Sequence, residues 1–133
     1  MKRVVLDASA LVAFFEGEPG AEQVEELIAR ANDGKAELLM SIVNWGETFC
    51  ARWRKQGERA AYQTLTVIAG LPISLFPADQ IQTQIACEIK MRAKLPYADS
   101  FAASLAKTHN AAIATADADF EKVADQFEIL FIR

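Results

Sequence analysis

Val4-Val5-Leu6-Asp7-Ala8-Ser9-Ala10-Leu11 begins with three apolar residues, turns polar at one aspartate and continues as a helix-forming run to Phe15. Successive apolar residues without alternation suit a strand buried on both faces, as in a parallel sheet, and not a strand with one wet face. The stretch therefore predicts a strand over 4–8 and a helical turn or two through Phe15, with Asp7 at the carboxyl end of the strand. Moving outward, short apolar runs predict further strands over 38–42, 72–76, 111–115 and 128–132. Helices are predicted over 21–32, from Asn44 as cap to 56 with Gly57 as stop, over 58–69, and from Ala78-Asp79 to the break at Leu95-Pro96. Two more follow over 97–108 and 119–125, and Glu18-Pro19-Gly20 is expected to stop the first. Five strands alternating with helices predict a three-layer α/β/α sandwich around a five-stranded, mostly parallel sheet. In open sheets of this class ligands bind outside the carboxyl ends of the strands, near the point where strand order reverses.

The chain has 133 residues, the size of one ordinary domain, so 1–133 is expected to form a single unit. Hydrophobic residues are 52% and charged residues 24%, which excludes an intrinsically disordered chain. The longest apolar run, from Ala10 to Phe15, is six residues, far below the ~20 that cross a bilayer. Met1-Lys2-Arg3 ahead of an apolar stretch mimics a secretory leader, but Asp7 interrupts it and Glu16, Glu18 and Pro19 follow at once, so it is expected to belong to the mature fold. Cys50 and Cys87 offer no disulfide framework, which points to a reducing cytoplasm, and with His109 as the single histidine they leave no ordinary zinc site. A net charge of −4 excludes nucleic-acid binding by global basicity. Any such contact must be local, and the cations are clumped as Arg52, Arg54, Lys55 and Arg59, and as Lys90, Arg92 and Lys94.

Chemistry is carried by acids. Asp7 and Asp117 follow predicted strands, while Glu47 and Asp99 fall in the first turns of predicted helices. Ala98, Ala102, Ala103 and Ala106 make one side of the second of these helices small enough for Asp99 to approach the sheet. Each acid alone has an ordinary explanation as a turn former, a helix cap or a partner of the helix dipole. Jointly they can converge on one mouth of a parallel sheet, where two like charges ~5 Å apart repel by roughly 3 kcal/mol at an effective dielectric near 20. A divalent cation relieves that repulsion. Ligands that are all oxygen select Mg²⁺ or Mn²⁺, which favour carboxylates together with substrate phosphate, and so point to phosphodiester hydrolysis.

Four segments in order carry a resemblance to a known family: Val4 to Leu11, then Ser41-Ile42-Val43-Asn44-Trp45-Gly46-Glu47, Tyr97-Ala98-Asp99-Ser100-Phe101-Ala102-Ala103, and Ala114-Thr115-Ala116-Asp117-Ala118-Asp119-Phe120. Together they resemble PIN-domain ribonucleases, specifically the VapC-type toxins of toxin–antitoxin pairs, over essentially the whole chain. The resemblance implies a metal-dependent endoribonuclease that inhibits translation, forms a homodimer and is silenced by a cognate antitoxin. It implies Asp7, Asp99 and Asp117 as ligands of Mg²⁺ or Mn²⁺, Glu47 as the acid that positions or activates water, and Ser9, Thr115 and Asp119 as their supports.

Arg52, Arg54, Lys90 and Arg92 are candidate phosphate contacts at the rim, although a solvated helix surface accounts for them as well. Trp45, Phe49 and Trp53 form a helical stripe expected in the core, and Leu11, Phe14 and Phe15 are expected to pack there too. His109 suits a helix end, and no serine triad or cysteine–histidine dyad is available. The alternative function is a phosphoacceptor receiver-type signalling domain, also α/β with Asp and Mg²⁺ at the strand ends. Here Asp7 stands alone, the third strand ends at Phe76-Pro77 and the last strand lacks lysine, all of which disfavour it.

Overall fold

A computed structural model of residues 1–133 gives five strands: β1 (Lys2–Leu6), β2 (Ala36–Ser41), β3 (Ile73–Phe76), β4 (Ala112–Thr115) and β5 (Ile129–Phe131). Six helices accompany them: α1 (Ala8–Glu16), α2 (Ala21–Asn32), α3 (Ile42–Gln56), α4 (Glu58–Ala69), α5 (Gln80–Ala93) and α6 (Tyr97–His109). A short 3-10 helix, Ala118–Val123, links β4 to β5. The strand order is β3-β2-β1-β4-β5 and every pairing is parallel. The chain builds outward from β1 to β3, then crosses back to lay β4 on the other side of β1. Strand order therefore reverses between β1 and β4, where Leu6 pairs with Ala114.

Side chains alternate across this sheet into two cores. Val4, Leu6, Leu38 and Met40 face one way and pack with Leu11, Val24 and Ile28 of α1 and α2. Val5, Leu39 and Ile113 face the other way and meet Ile89 of α5 and Ala102, Leu105 and Ala106 of α6. Apolar residues on both faces explain why the strands read as unbroken apolar runs. The three-layer sandwich and the five-stranded sheet follow as predicted from the sequence, and no helix is long and apolar enough to cross a membrane.

Several boundaries differ from expectation. β1 stops at Leu6, because Asp7 is the N-cap of α1, extended at φ −87° and ψ 179°, and accepts from the Ala10 amide. α1 ends at Gly17, a residue earlier than Glu18-Pro19-Gly20, because the glycine takes the left-handed conformation (φ 66°) that lets its N–H reach the Ala13 carbonyl. Gly20 serves instead to open α2 at φ 102°, with Ile132 so close that a Cβ would lie 2.9 Å from its side chain. Ser41, not Asn44, caps α3, accepting from the Val43 amide; the helix starts at Ile42 and takes Asn44 into its first turn. The segment predicted as a helix over 119–125 is a 3-10 turn, and the last strand is trimmed to 129–131.

Candidate metal centre at the sheet mouth

Asp7 leaves β1 at the strand-order reversal and is 2% exposed. Its Oδ1 accepts from the Ser9 hydroxyl at 2.7 Å and the Ala10 amide at 2.9 Å, and its Oδ2 accepts from the Thr115 hydroxyl at 2.5 Å. Those two hydroxyls in turn accept from the amides of Ala116 and Asp117, both at 2.9 Å. The end of β4 is thereby stitched to the end of β1 through one carboxylate. Burial still dominates over these donors and, with the charge of Asp117, raises the Asp7 carboxyl to about 6.

Asp117 caps the 3-10 helix, its Oδ1 accepting from the Asp119 amide at 2.8 Å. This turn carries Asp119 to the same side as Asp117. Across from them the first turn of α6 presents Asp99, which the alanine-lined face of that helix brings down onto the sheet as expected. One carboxylate oxygen from each of Asp99, Asp117 and Asp119 lies within 4.8 Å of the others. Asp99 is 9% exposed, and its Oδ2 is buried without any hydrogen-bond donor. Burial, then the charge of Asp117 and a hydrogen bond that it offers to the neutral form, then the charges of Asp7 and Glu47, push the Asp99 carboxyl up to about 8. Asp7 and Glu47 thus act on Asp99 through their charge, while the oxygens in close contact are those of Asp99, Asp117 and Asp119.

Glu47 approaches from α3, half-buried, and its Oε1 accepts from Asn44 Nδ2 at 3.0 Å. The same Nδ2 donates to the Ala98 carbonyl of α6 at 3.1 Å. Spacing alone hinted at this: Asn44 and Glu47 are three apart on one helix, hence neighbours on its surface. Two further features were not anticipated. Asp119, expected as a supporting residue, contributes an oxygen to the close cluster. Lys122 stands at its edge, with Nζ 3.2 Å from both Asp119 Oδ1 and the Lys94 carbonyl.

Of the cations expected at the rim, Arg52 and Arg92 are engaged elsewhere. Arg52 is largely buried, ion-paired with Glu16 of α1, donating to Thr64 of α4 at 3.0 Å and stacked 5.5 Å from the Phe15 ring. Gln56 donates to the other Glu16 oxygen, and Gln56 and Arg52 hold that carboxyl below its ordinary range. Arg54 is exposed on α3. Lys90 is half-buried near the end of α5, and Arg92 lines a cavity of about 340 Å³ with Glu88, Lys107 and Asn110, at the end of α6 opposite Asp99. Phe49, Trp53 and Tyr62 interlock between α3 and α4, with Trp53 42% exposed, so the stripe expected inside the core is partly a surface. Leu11 is buried, Phe14 and Phe15 pack on the core from its margin, and His109 ends α6 against Phe76.

Carboxylates thus line the strand-order reversal of an all-parallel sheet, the place where α/β domains of this class bind their ligands. The chain belongs to the PIN domain family, which matches it over residues 4–126, and not to the receiver type. Among solved structures, the fold is similar to VapC20 of Mycobacterium tuberculosis, described as a sarcin-ricin loop cleaving toxin, with TM-score 0.72, 16% identity and coverage of 93% of this chain and 95% of that one. It is similar also to a toxin–antitoxin complex from Klebsiella pneumoniae (TM-score 0.72, 16% identity, 96% and 95% covered). A third is VapBC2 from Rickettsia felis bound to a DNA fragment from its promoter (TM-score 0.75, 12% identity, 98% and 99% covered). At these identities the likeness is one of fold. No curated protein sequence matches the chain.

Proposed function

We propose that this chain is a divalent-cation-dependent endoribonuclease and the toxin of a toxin–antitoxin pair. The observation that carries the proposal is the buried Asp99 Oδ2, which no protein donor serves, beside oxygens of Asp117 and Asp119. A carboxylate left in that position is costly unless a cation meets it. Asp99, Asp117 and Asp119, with the lone pair that Asp7 Oδ2 keeps beside its bond from Thr115, would hold Mg²⁺ or Mn²⁺. Bound there, the ion supplies polarisation of a phosphoryl oxygen and acidification of a water.

The chain's own groups do the remainder. Ser9 and Thr115 donate to Asp7 and fix its plane, so the floor of the site does not shift when charge is added. Glu47 has Oε1 engaged by Asn44, which leaves Oε2 to accept the proton of the attacking water. Lys122 Nζ, standing beside Asp119, is placed to meet a phosphate oxygen. An antitoxin partner is supported by the toxin–antitoxin complex among the structural neighbours; a homodimer and a cytoplasmic location belong to the same proposal.

The test is cleavage of total cellular RNA by antitoxin-free protein, with RNA ends sequenced for wild type against Asp7→Asn. Cuts are expected with Mn²⁺ or Mg²⁺, and none with a chelator, with Asp7→Asn or with Asp99→Asn. Undiminished cutting by Asp99→Asn in chelator would refute the proposal.

A further inference from the structure

Asn44 is fully buried in the first turn of α3, three residues before Glu47. Its Nδ2 spends one hydrogen on Glu47 Oε1 and the other on the backbone carbonyl of Ala98, the residue before Asp99. Its Oδ1 is buried with no donor at all. Turning the amide over would press that oxygen against a carboxylate and a carbonyl, three acceptors together, so the two flanking acceptors decide which end faces them. As packing, this is a poor choice. A buried amide with a stranded carbonyl stabilises a core less than an apolar side chain of the same size.

What the amide does that an apolar side chain cannot is span two helices with one rigid NH₂ group. We propose that Asn44 is a positioning residue that, anchored on the Ala98 carbonyl, fixes the Glu47 carboxylate relative to the helix bearing Asp99 and thereby sets the affinity of the acidic mouth for a divalent cation. This rests on the metal site proposed above. The anchor is a backbone group, so it does not depend on another side chain's rotamer, whereas a half-buried glutamate without its donor is free to swing toward water. A supporting residue of this kind acts on the acids without touching the ion.

Asn44→Leu keeps the branched shape and the number of heavy atoms of the side chain and removes both donors. Calorimetric titration of Mn²⁺ into the full chain, alongside the melting temperature of metal-free protein, tests the proposal. Asn44→Leu is expected to melt at or above wild type when metal-free and to bind Mn²⁺ about tenfold more weakly. In the Glu47→Ala background the same substitution is expected to weaken binding little further, because Asn44 acts through Glu47. Mn²⁺ binding by Asn44→Leu equal to wild type overturns the proposal. So does an effect that adds in full to that of Glu47→Ala, or a metal-free melting temperature lower by more than ~5 °C, which marks a structural role. Should Asn44→Leu not fold, Asn44→Ser, which also lacks the two-donor bridge, carries the same expectation for Mn²⁺ binding, alone and in the Glu47→Ala background. A wild type that binds no Mn²⁺ refutes the metal site itself, whereas binding by wild type and by Asn44→Leu alike refutes only the role of Asn44.

Discussion

Asp99 concentrates the electrostatic tension of the molecule in one carboxyl, because burial and three neighbouring acids all favour its neutral form. Removing the charge while keeping the shape is therefore expected to stabilise the metal-free protein. Asp99→Asn is predicted to raise its melting temperature by roughly 3–5 °C, the shift that about 1 kcal/mol produces in a domain of this size. It should also abolish stabilisation by Mn²⁺. Differential scanning calorimetry with and without the ion measures both, and a lower metal-free melting temperature would contradict an electrostatically strained mouth. The pH dependence has a definite sign. Asp7 and Asp99 are raised to about 6 and about 8, above their ordinary carboxylate values, so the folded state holds protons that the unfolded state has released. Stability from this source is fully present below pH 4 and is lost as pH rises through 6 and 8. The contribution of these acids is thus expected to make metal-free protein less stable at pH 8 than at pH 5.5, and saturating Mn²⁺ should reduce that fall. Urea titrations at the two pH values, repeated with Asp99→Asn, give the comparison.

At the scale of elements, Arg52 ties α3 to α1 through Glu16 and to α4 through Thr64. These contacts lie largely out of solvent, and losing the guanidinium leaves the Glu16 carboxylate with Gln56 alone of its two partners. Arg52→Met is predicted to lower the melting temperature while leaving the salt dependence of RNA binding as in wild type. The slope of log affinity against log salt checks it, and a slope reduced by ~0.7, the loss of one phosphate contact on a single strand, would return Arg52 to the substrate rim. The α3 boundary teaches a related lesson. Asn44 is a good cap by residue type, yet Ser41 at the end of β2 takes that place, because the helix begins directly where the strand stops. Only then does Asn44 fall inside, facing Ala98 of a helix more than fifty residues away in the chain.

For the molecule as a whole, a net charge of −4 means that no general field draws a polyanion in. On the proposed function, affinity for RNA would come from local cations such as Lys122, beside Asp119, and from the ion. If about three phosphates are engaged, log affinity is predicted to fall with log salt at a slope near −2. Measurement with Asp7→Asn in Ca²⁺ checks this, and a flat response would remove the cations from the account.

The strands, their parallel arrangement and the two-sided core were legible in the sequence because each depends on local chemistry. Unbroken apolar runs such as Val4 to Leu6 need cover on both faces, and capping and breaking residues mark where helices open and close. The four acids were legible too, as residues standing where strands end and helices begin. Their convergence required the chain to cross back and lay β4 beside β1, which is a property of the closed sheet and not of any segment. The same closure gave Asp119 its place in the oxygen cluster, drew Arg52 inward to Glu16, and set Asn44 between Glu47 and Ala98. Periodicity reports which face of an element is apolar; which polar groups meet across elements is decided by packing, since a buried donor must find an acceptor wherever the fold puts one.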